Sequence, residues 1–192
     1  MQWTKEKTHV SHFMWCKIFD FATEQTYDTS WIGQSPFFTE VEGFTVNGFS
    51  KNQCRTLTSG EWQYLFSYGD YDNEARRGKY KYGITVCGNS NCVVLLPDNW
   101  TGGTIESSYD YVGWKHLEAA GAVCLPAAGY RDGNTGFPII LIAGINGHYW
   151  SASQDGNINA FYLDFDSSNV NPSHSKDRSQ AYAVRLVIDV TE

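Results

Sequence analysis

The stretch GHYWSASQDGNINAFYLDFDSSNVNPSHSKDRSQAYAVRLV, from Gly147 to Val187, constrains the fold of this chain more than any other. Its ends read as core: Tyr149 and Trp150 open it, and the β-like run Val184, Leu186 and Val187 closes it. Its middle reads as surface. The thirty residues from Gln154 to Ala183 carry four Asn, five Ser and four Asp, short side chains that bond to nearby backbone and favour turns over regular ladders. Tyr149, Trp150, Leu163, Phe165, Val184, Leu186 and Val187 are the expected core of this region. Arg178 and Arg185 are expected to tie its loops to the scaffold through carboxylate or carbonyl bonds.

The 192 residues suffice for one large domain, 1–192, with a sizeable buried core. Residues 1–50 alternate aromatic and β-branched segments with polar turns, and this β-rich part either packs on the core or mediates assembly. LTSGEWQYLFSYG reads as a capped helix, with Thr58 or Ser59 as N-cap, Glu61 in the first turn and Trp62, Leu65 and Phe66 on one face. YKYGITVCGNSNCVVLLPDNW reads as a β-hairpin, and YVGWKHLEAAGAVCLPAAGYRDG as a short helix, a buried strand and a turn. GHYWSAS, NAFYLDF and YAVRLVIDV supply three further strands joined by polar loops. The expected class is α+β, mainly short antiparallel strands with two helices.

Charge and composition exclude several functions. The net charge of −7 argues against a general nucleic-acid binder, because such domains carry a basic face. The cluster Arg76, Arg77, Lys79 and Lys81 reads as a solvated face. No apolar run approaches the length of a membrane span, about eighteen residues, so no membrane insertion is expected. The opening MQWTKEKTHVSHFMWCKIF lacks the apolar core of a secretory signal. The five cysteines, at 16, 54, 87, 92 and 124, show no CxxC or Cys/His spacing of a zinc site. They read as small buried thiols, although Cys87 and Cys92 flank a turn-like GNSN and approach each other if it closes a hairpin. No metal and no cofactor are expected. Asp70 to Glu74 is acidic but lacks the glycine and spacing of an EF-hand loop.

CRTLTSGEWQYLF, VVLLPDNW, LEAAGAVCLPAAGYRDG, GHYWSAS and RSQAYAVRLV together carry a resemblance. In this order they resemble bacterial and phage surface domains of the C-type lectin fold, in particular the variable proteins of diversity-generating retroelements. They are distantly similar to formylglycine-generating-enzyme domains. The resemblance extends from about Cys54 to the end. It implies a C-type lectin fold and a non-enzymatic receptor or adhesin at a cell surface or on a virion, with a protein or glycan as ligand. The variable region it implies is 146–187, where a fixed strand pair frames residues rewritten at template adenines.

An AAC or AAT codon randomised at its adenines never yields Lys, Gln, Glu, Met or Trp. Asn146, His148, Asn157, Ile158, Asn159, Phe161, Asp164, Asp166, Asn169, Asn171, Ser173, His174, Ser175, Asp177, Ala181 and Ala183 are all permitted products, and the resemblance makes them the expected ligand-binding face. Gln154, Lys176 and Gln180 fall outside the rule. The bland alternative for the same residues is a set of solvated loops and outward strand faces.

Enzyme chemistry is not expected. The formylglycine-generating reaction needs a reactive cysteine pair late in the domain, and the last cysteine here is Cys124. No G-x-S-x-G, H-E-x-x-H or P-loop string occurs, and His9, His12, His116, His148 and His174 are scattered. LPDNW, residues 96–100, superficially resembles the Pro-containing calcium motif of sugar-binding lectins but reads as the end of a core strand. The alternatives are a fixed-ligand surface or pilus-type adhesin and an unusual formylglycine-generating-type enzyme.

Overall fold

The computed structural model describes residues 55–66, 82–98, 100–131 and 140–187. The β-rich reading of 1–50, the basic cluster at 76–81, the acidic run at 70–74 and the turn at 132–134 lie outside the described residues.

The first described segment is a short strand, β1 (Arg55–Thr56), leading into α1 (Ser59–Phe66). The start of α1 is a capping box. The Glu61 amide donates to Thr58 Oγ1 at 3.2 Å, and the Thr58 amide donates to Glu61 Oε2 at 2.7 Å. Thr58 is therefore the N-cap. Arg55 grips the same carboxylate with both guanidinium arms, at 2.8 and 2.6 Å. Trp62 and Phe66, one turn apart, are buried, and Leu65 packs beside them, which is the face expected from the i, i+3, i+4 spacing.

β2 (Tyr82–Cys87) and β3 (Ser90–Leu95) form the expected hairpin around Gly88–Asn89, in register from Tyr82↔Leu95 to Cys87↔Ser90. β4 (Ser108–Tyr109) joins β2 in parallel and β5 (Val123–Pro126) joins β3 antiparallel, giving the order β4-β2-β3-β5. Between these two strands runs α2 (Tyr111–Ala119), capped by Asp110, whose carboxylate accepts from the Gly113 amide at 2.7 Å. Leu117 of α2 packs with Val94, Leu96 and Ala122.

β6 (Gly147–Asp155), β7 (Asn159–Phe165) and β8 (Val170–Asp177) form a second, antiparallel sheet in that order, and β9 (Leu186–Val187) returns to pair with β1. The class is α+β with mainly antiparallel strands. One core joins the parts: Trp62, Phe66, Val93, Leu125, Leu163 and Phe165 belong to a single buried cluster. No helix among the described residues is long and apolar enough to cross a membrane.

Two expectations need correction. The polar text from Val170 to Asp177 is a strand, not a loop, because a ladder is held by main-chain groups and an edge strand tolerates polar side chains. Its Pro172 is accommodated at a bulge: Tyr162 pairs with His174 but Asp164 with Asn171, leaving one extra residue on β8. At the other end, Val184, Leu186 and Val187 are only half-buried; they pack against the cores from outside.

Gly129 and Gly147 mark close approaches that no other residue allows. Gly129 holds φ +67°, and a Cβ there would lie 2.2 Å from the Leu141 carbonyl oxygen. At Gly147 a Cβ would fall 2.1 Å from Phe165 Cζ; the ring of its cross-strand partner covers the glycine.

Candidate functional site

Strand alternation sorts the β6-β7-β8 sheet into two faces. Leu163 and Phe165 point to the main core beneath α1. On the other face the register aligns His148, Asp164 and Asn171 in one row and Trp150, Tyr162 and His174 in the next. Opposite these rows sits the chain around Tyr130 and Tyr182, held by main-chain bonds. Arg131 and Ala181 exchange bonds of 3.1 and 2.9 Å, Ala183 donates to the His148 carbonyl at 2.7 Å, and Trp150 donates to the Ala183 carbonyl at 2.8 Å.

The result is an aromatic nest around a carboxylate between two imidazoles. Asp164 Oδ1 lies 3.0 Å from His148 Nδ1, and its Oδ2 lies 3.2 Å from His174 Nδ1. The three side chains climb from interior to solvent, with exposures of 10%, 26% and 46% for His148, Asp164 and His174. His148 stacks on Tyr182 at 4.9 Å and meets Tyr130 edge-on at 5.3 Å. Tyr162 lies 4.6 Å from Tyr182 and 5.7 Å from His174. Trp150 closes the floor 4.5 Å from Tyr182, its indole N–H donating to the Gln180 carbonyl at 3.2 Å.

Proximity and alignment differ at His148. The two side chains approach to 3.0 Å, yet neither nitrogen of His148 nor Asp164 Oδ1 has an aligned hydrogen bond. A hydrogen bond weakens steeply as its angle closes, so this approach is a close contact and not a bond. Buried polar atoms are seldom left so, and they give this site unused donor and acceptor capacity. Burial and the neighbouring Tyr162 push the Tyr182 phenol well above its ordinary value, and burial with the Asp164 charge raises Tyr162. The Tyr182 hydroxyl is also hydrogen-bonded to that of Tyr162.

The loop 140–146 adds an apolar rim beside Tyr130. Ile140, Leu141, Ile142 and Ile145 are exposed, yet the backbone is pinned. Leu141 and Tyr130 exchange bonds of 2.8 and 3.1 Å, Gly144 donates to the Ala127 carbonyl at 2.7 Å, and Asn91 donates to the Gly144 and Ile145 carbonyls at 2.9 Å each. Ile142 adopts φ +49°, a conformation that is strained for a β-branched residue.

The residues expected to form one ligand-binding face do not all lie together. His148, Asp164, Asn171 and His174 share the nest side of the sheet. Asn157 and Ile158 are exposed at the β6–β7 turn, and Asn169 at the β7–β8 turn, where Asp166 accepts from the amides of Ser168 and Asn169 at 2.6 and 2.9 Å. Asn146 is half-buried at the end of the apolar loop, its carbonyl accepting from Gly129 at 3.0 Å. Asn159 and Asp177 are half-buried and face each other across the β7–β8 pair. Phe161 and Ser175 form the next pair, and by alternation Phe161 lies on the side of Leu163. Ser173 is reached from α1 by Gln63 Nε2 at 3.4 Å.

Ala181 and Ala183, at 5% and 6% exposure, are buried within the main-chain bridges. His148, at 8%, is the floor of the nest, not its surface. Arg178 acts as expected, its Nε and Nη2 donating to the Asn159 and Gly156 carbonyls at 3.1 and 3.3 Å.

Sequence reasoning missed Tyr130, Tyr162 and Tyr182 as members of the site. The alternation of small and large in AYAV around Tyr182 was the available signal.

Residues 102–187 match a domain of unknown function (DUF8237), a span that contains the whole nest and the strands that carry it. No curated protein and no solved structure matches the chain.

Proposed function

We propose that this chain is a non-enzymatic binding domain of the C-type lectin type, with its ligand held over the nest side of the β6-β7-β8 sheet. The observation that carries the reading is the graded His148–Asp164–His174 group. Its polar atoms are incompletely satisfied, tyrosines surround it, and pinned strands and an exposed apolar loop flank it. Such a surface contributes contact area and hydrogen bonds with little ordering cost, because its backbone is fixed before the ligand arrives. A protein or glycan ligand suits this mixture of aromatic faces and short polar side chains.

Within this reading, the resemblance to retroelement variable proteins makes Asn157, Ile158, Asn169, Asn171 and His174 the diversified positions. They sit at turns and on an edge strand, where the ladder does not depend on their side chains. Sequencing the 3′ end of the gene across its natural population tests the point. Substitutions concentrated in codons for outward residues between 146 and 183, at positions of template adenines, support diversification; sparse and evenly spread changes reject it. One observation favours the second reading, an adhesin for a single fixed ligand: the deepest polar member, His148, is too buried to be exchanged freely.

A further inference from the structure

The four-stranded sheet brings Cys124 to Cys87 and Cys92, which flank the β2–β3 hairpin turn, and the three lie outside the nest. β3 lies between β2 and β5. Thr85 is opposite Cys92 on one side, which places Cys87 diagonally across; Val94 is opposite Cys124 on the other, which places Cys124 diagonally across. All three side chains thus leave one face of the sheet, and their sulfurs lie within 4.8 Å of one another. All three are free thiols. Cys92, in the middle, is 1% exposed, while Cys87 and Cys124 are half-buried.

We propose that Cys87, Cys92 and Cys124 form a three-sulfur site for a soft divalent d10 cation of the zinc and cadmium type. A metal–sulfur bond of about 2.3 Å places tetrahedral ligands roughly 3.8 Å apart. The sulfurs need move inward by no more than about 1 Å, within reach of small side-chain rotations on strands that stay paired. The donor set is chemically selective, since thiolates prefer soft and borderline ions over the hard cations that take oxygen ligands. Cys87 leaves an approach from solvent, and water completes a fourth position.

The three thiols are close enough to shift one another's titration. The Cys124 thiol beside Cys92 lowers it to about 7 against the opposing effect of burial. Burial and the charge on Cys92 push Cys87 up to about 11, and Cys124 is raised by its bond to Cys92 and by burial. Binding replaces the thiol protons by the cation and releases them to solvent.

The test uses the full reduced chain carrying Cys16→Ser and Cys54→Ser, so that only the three sheet cysteines remain. Cadmium titration is expected to produce a thiolate-to-metal charge-transfer band that saturates at one ion per chain, and cadmium, the softer ion, should displace bound zinc. Cys92→Ser should weaken binding by more than about 100-fold, beyond the range seen for outer-shell partners. The more exposed Cys87→Ser, checked for unchanged circular dichroism, should lower the band per bound ion because two sulfurs remain. No saturable band in the folded chain overturns the proposal. So does a band that persists unchanged in Cys92→Ser and in Cys87→Ser.

Discussion

Gly147→Ala isolates the contact that seats the second sheet on the core. Gly147 opens β6 and pairs with Phe165 of β7, whose ring covers it. A Cβ there would lie 2.1, 2.2 and 2.7 Å from three atoms of that ring, about 1.4 Å closer than the ordinary carbon contact of about 3.5 Å at the worst point. The ring has nowhere to go. Phe165 is 1% exposed and stacks on Tyr149 at 6.2 Å, which itself meets Trp62 at 6.5 Å. A close-packed interior transmits such an overlap, and overpacking of this kind costs about 1–3 kcal/mol. The severity here points to the upper half, about 2–3 kcal/mol. For a chain of this size that lowers Tm by about 4–12 °C.

Urea unfolding followed by tryptophan fluorescence reads the cost directly, and a double-mutant cycle assigns its cause. Phe165→Leu alone should cost about 1–2 kcal/mol through lost packing. In that background Gly147→Ala should cost less by at least about 1 kcal/mol, because the overlapping atoms are gone. A Gly147→Ala chain within about 0.5 kcal/mol of the parent, or a strictly additive pair, would refute the assignment of the clash to Phe165.

At α1, Thr58→Ala should cost about 1 kcal/mol by removing the cap. The Arg55 guanidinium, bonded to Glu61, holds the Glu61 carboxyl below its ordinary value of 4.5, with the Thr58 bonds helping. Its contribution is therefore complete above the unfolded-state value and is lost as pH falls below 4.5 through the folded one. Denaturant curves of parent and Glu61→Gln should differ most at neutral pH and converge in acid; a constant difference contradicts the pairing. In the nest, His174→Ala should change stability by less than about 0.5 kcal/mol. His148→Ala should cost about 2 kcal/mol by opening a cavity under Tyr182. Equal costs would show that the two imidazoles are not, respectively, display and floor.

The parts of the fold legible in the sequence are those whose causes are local. Thr58 and Glu61 cap each other across three residues, Trp62 and Phe66 share a helical face, and Gly88–Asn89 closes a hairpin between adjacent strands. β8 was illegible because its strand character comes from pairing with β7, while its own side chains carry the composition of a loop. The cysteine trio was illegible for the same reason. Cys124 meets Cys92 only through the register of β5 on β3, which no spacing motif encodes.

The candidate site shows where a compositional rule stops and orientation begins. Ala181, Ala183, His148 and His174 are all permitted by the adenine-codon pattern, yet only His174 is openly exposed. The alanines are small because the chain at 181–183 bonds to Arg131 on one side and to His148 and Trp150 on the other. Ala183 packs in the main core with Tyr149 and Leu163, while its neighbour Tyr182 stacks on His148 at 4.9 Å. Tolerance to exchange in this region therefore follows the direction each side chain takes from its strand. Under the proposed diversification, exchange falls on Asn169, Asn171 and His174, while burial holds Ala181, Ala183 and His148 fixed.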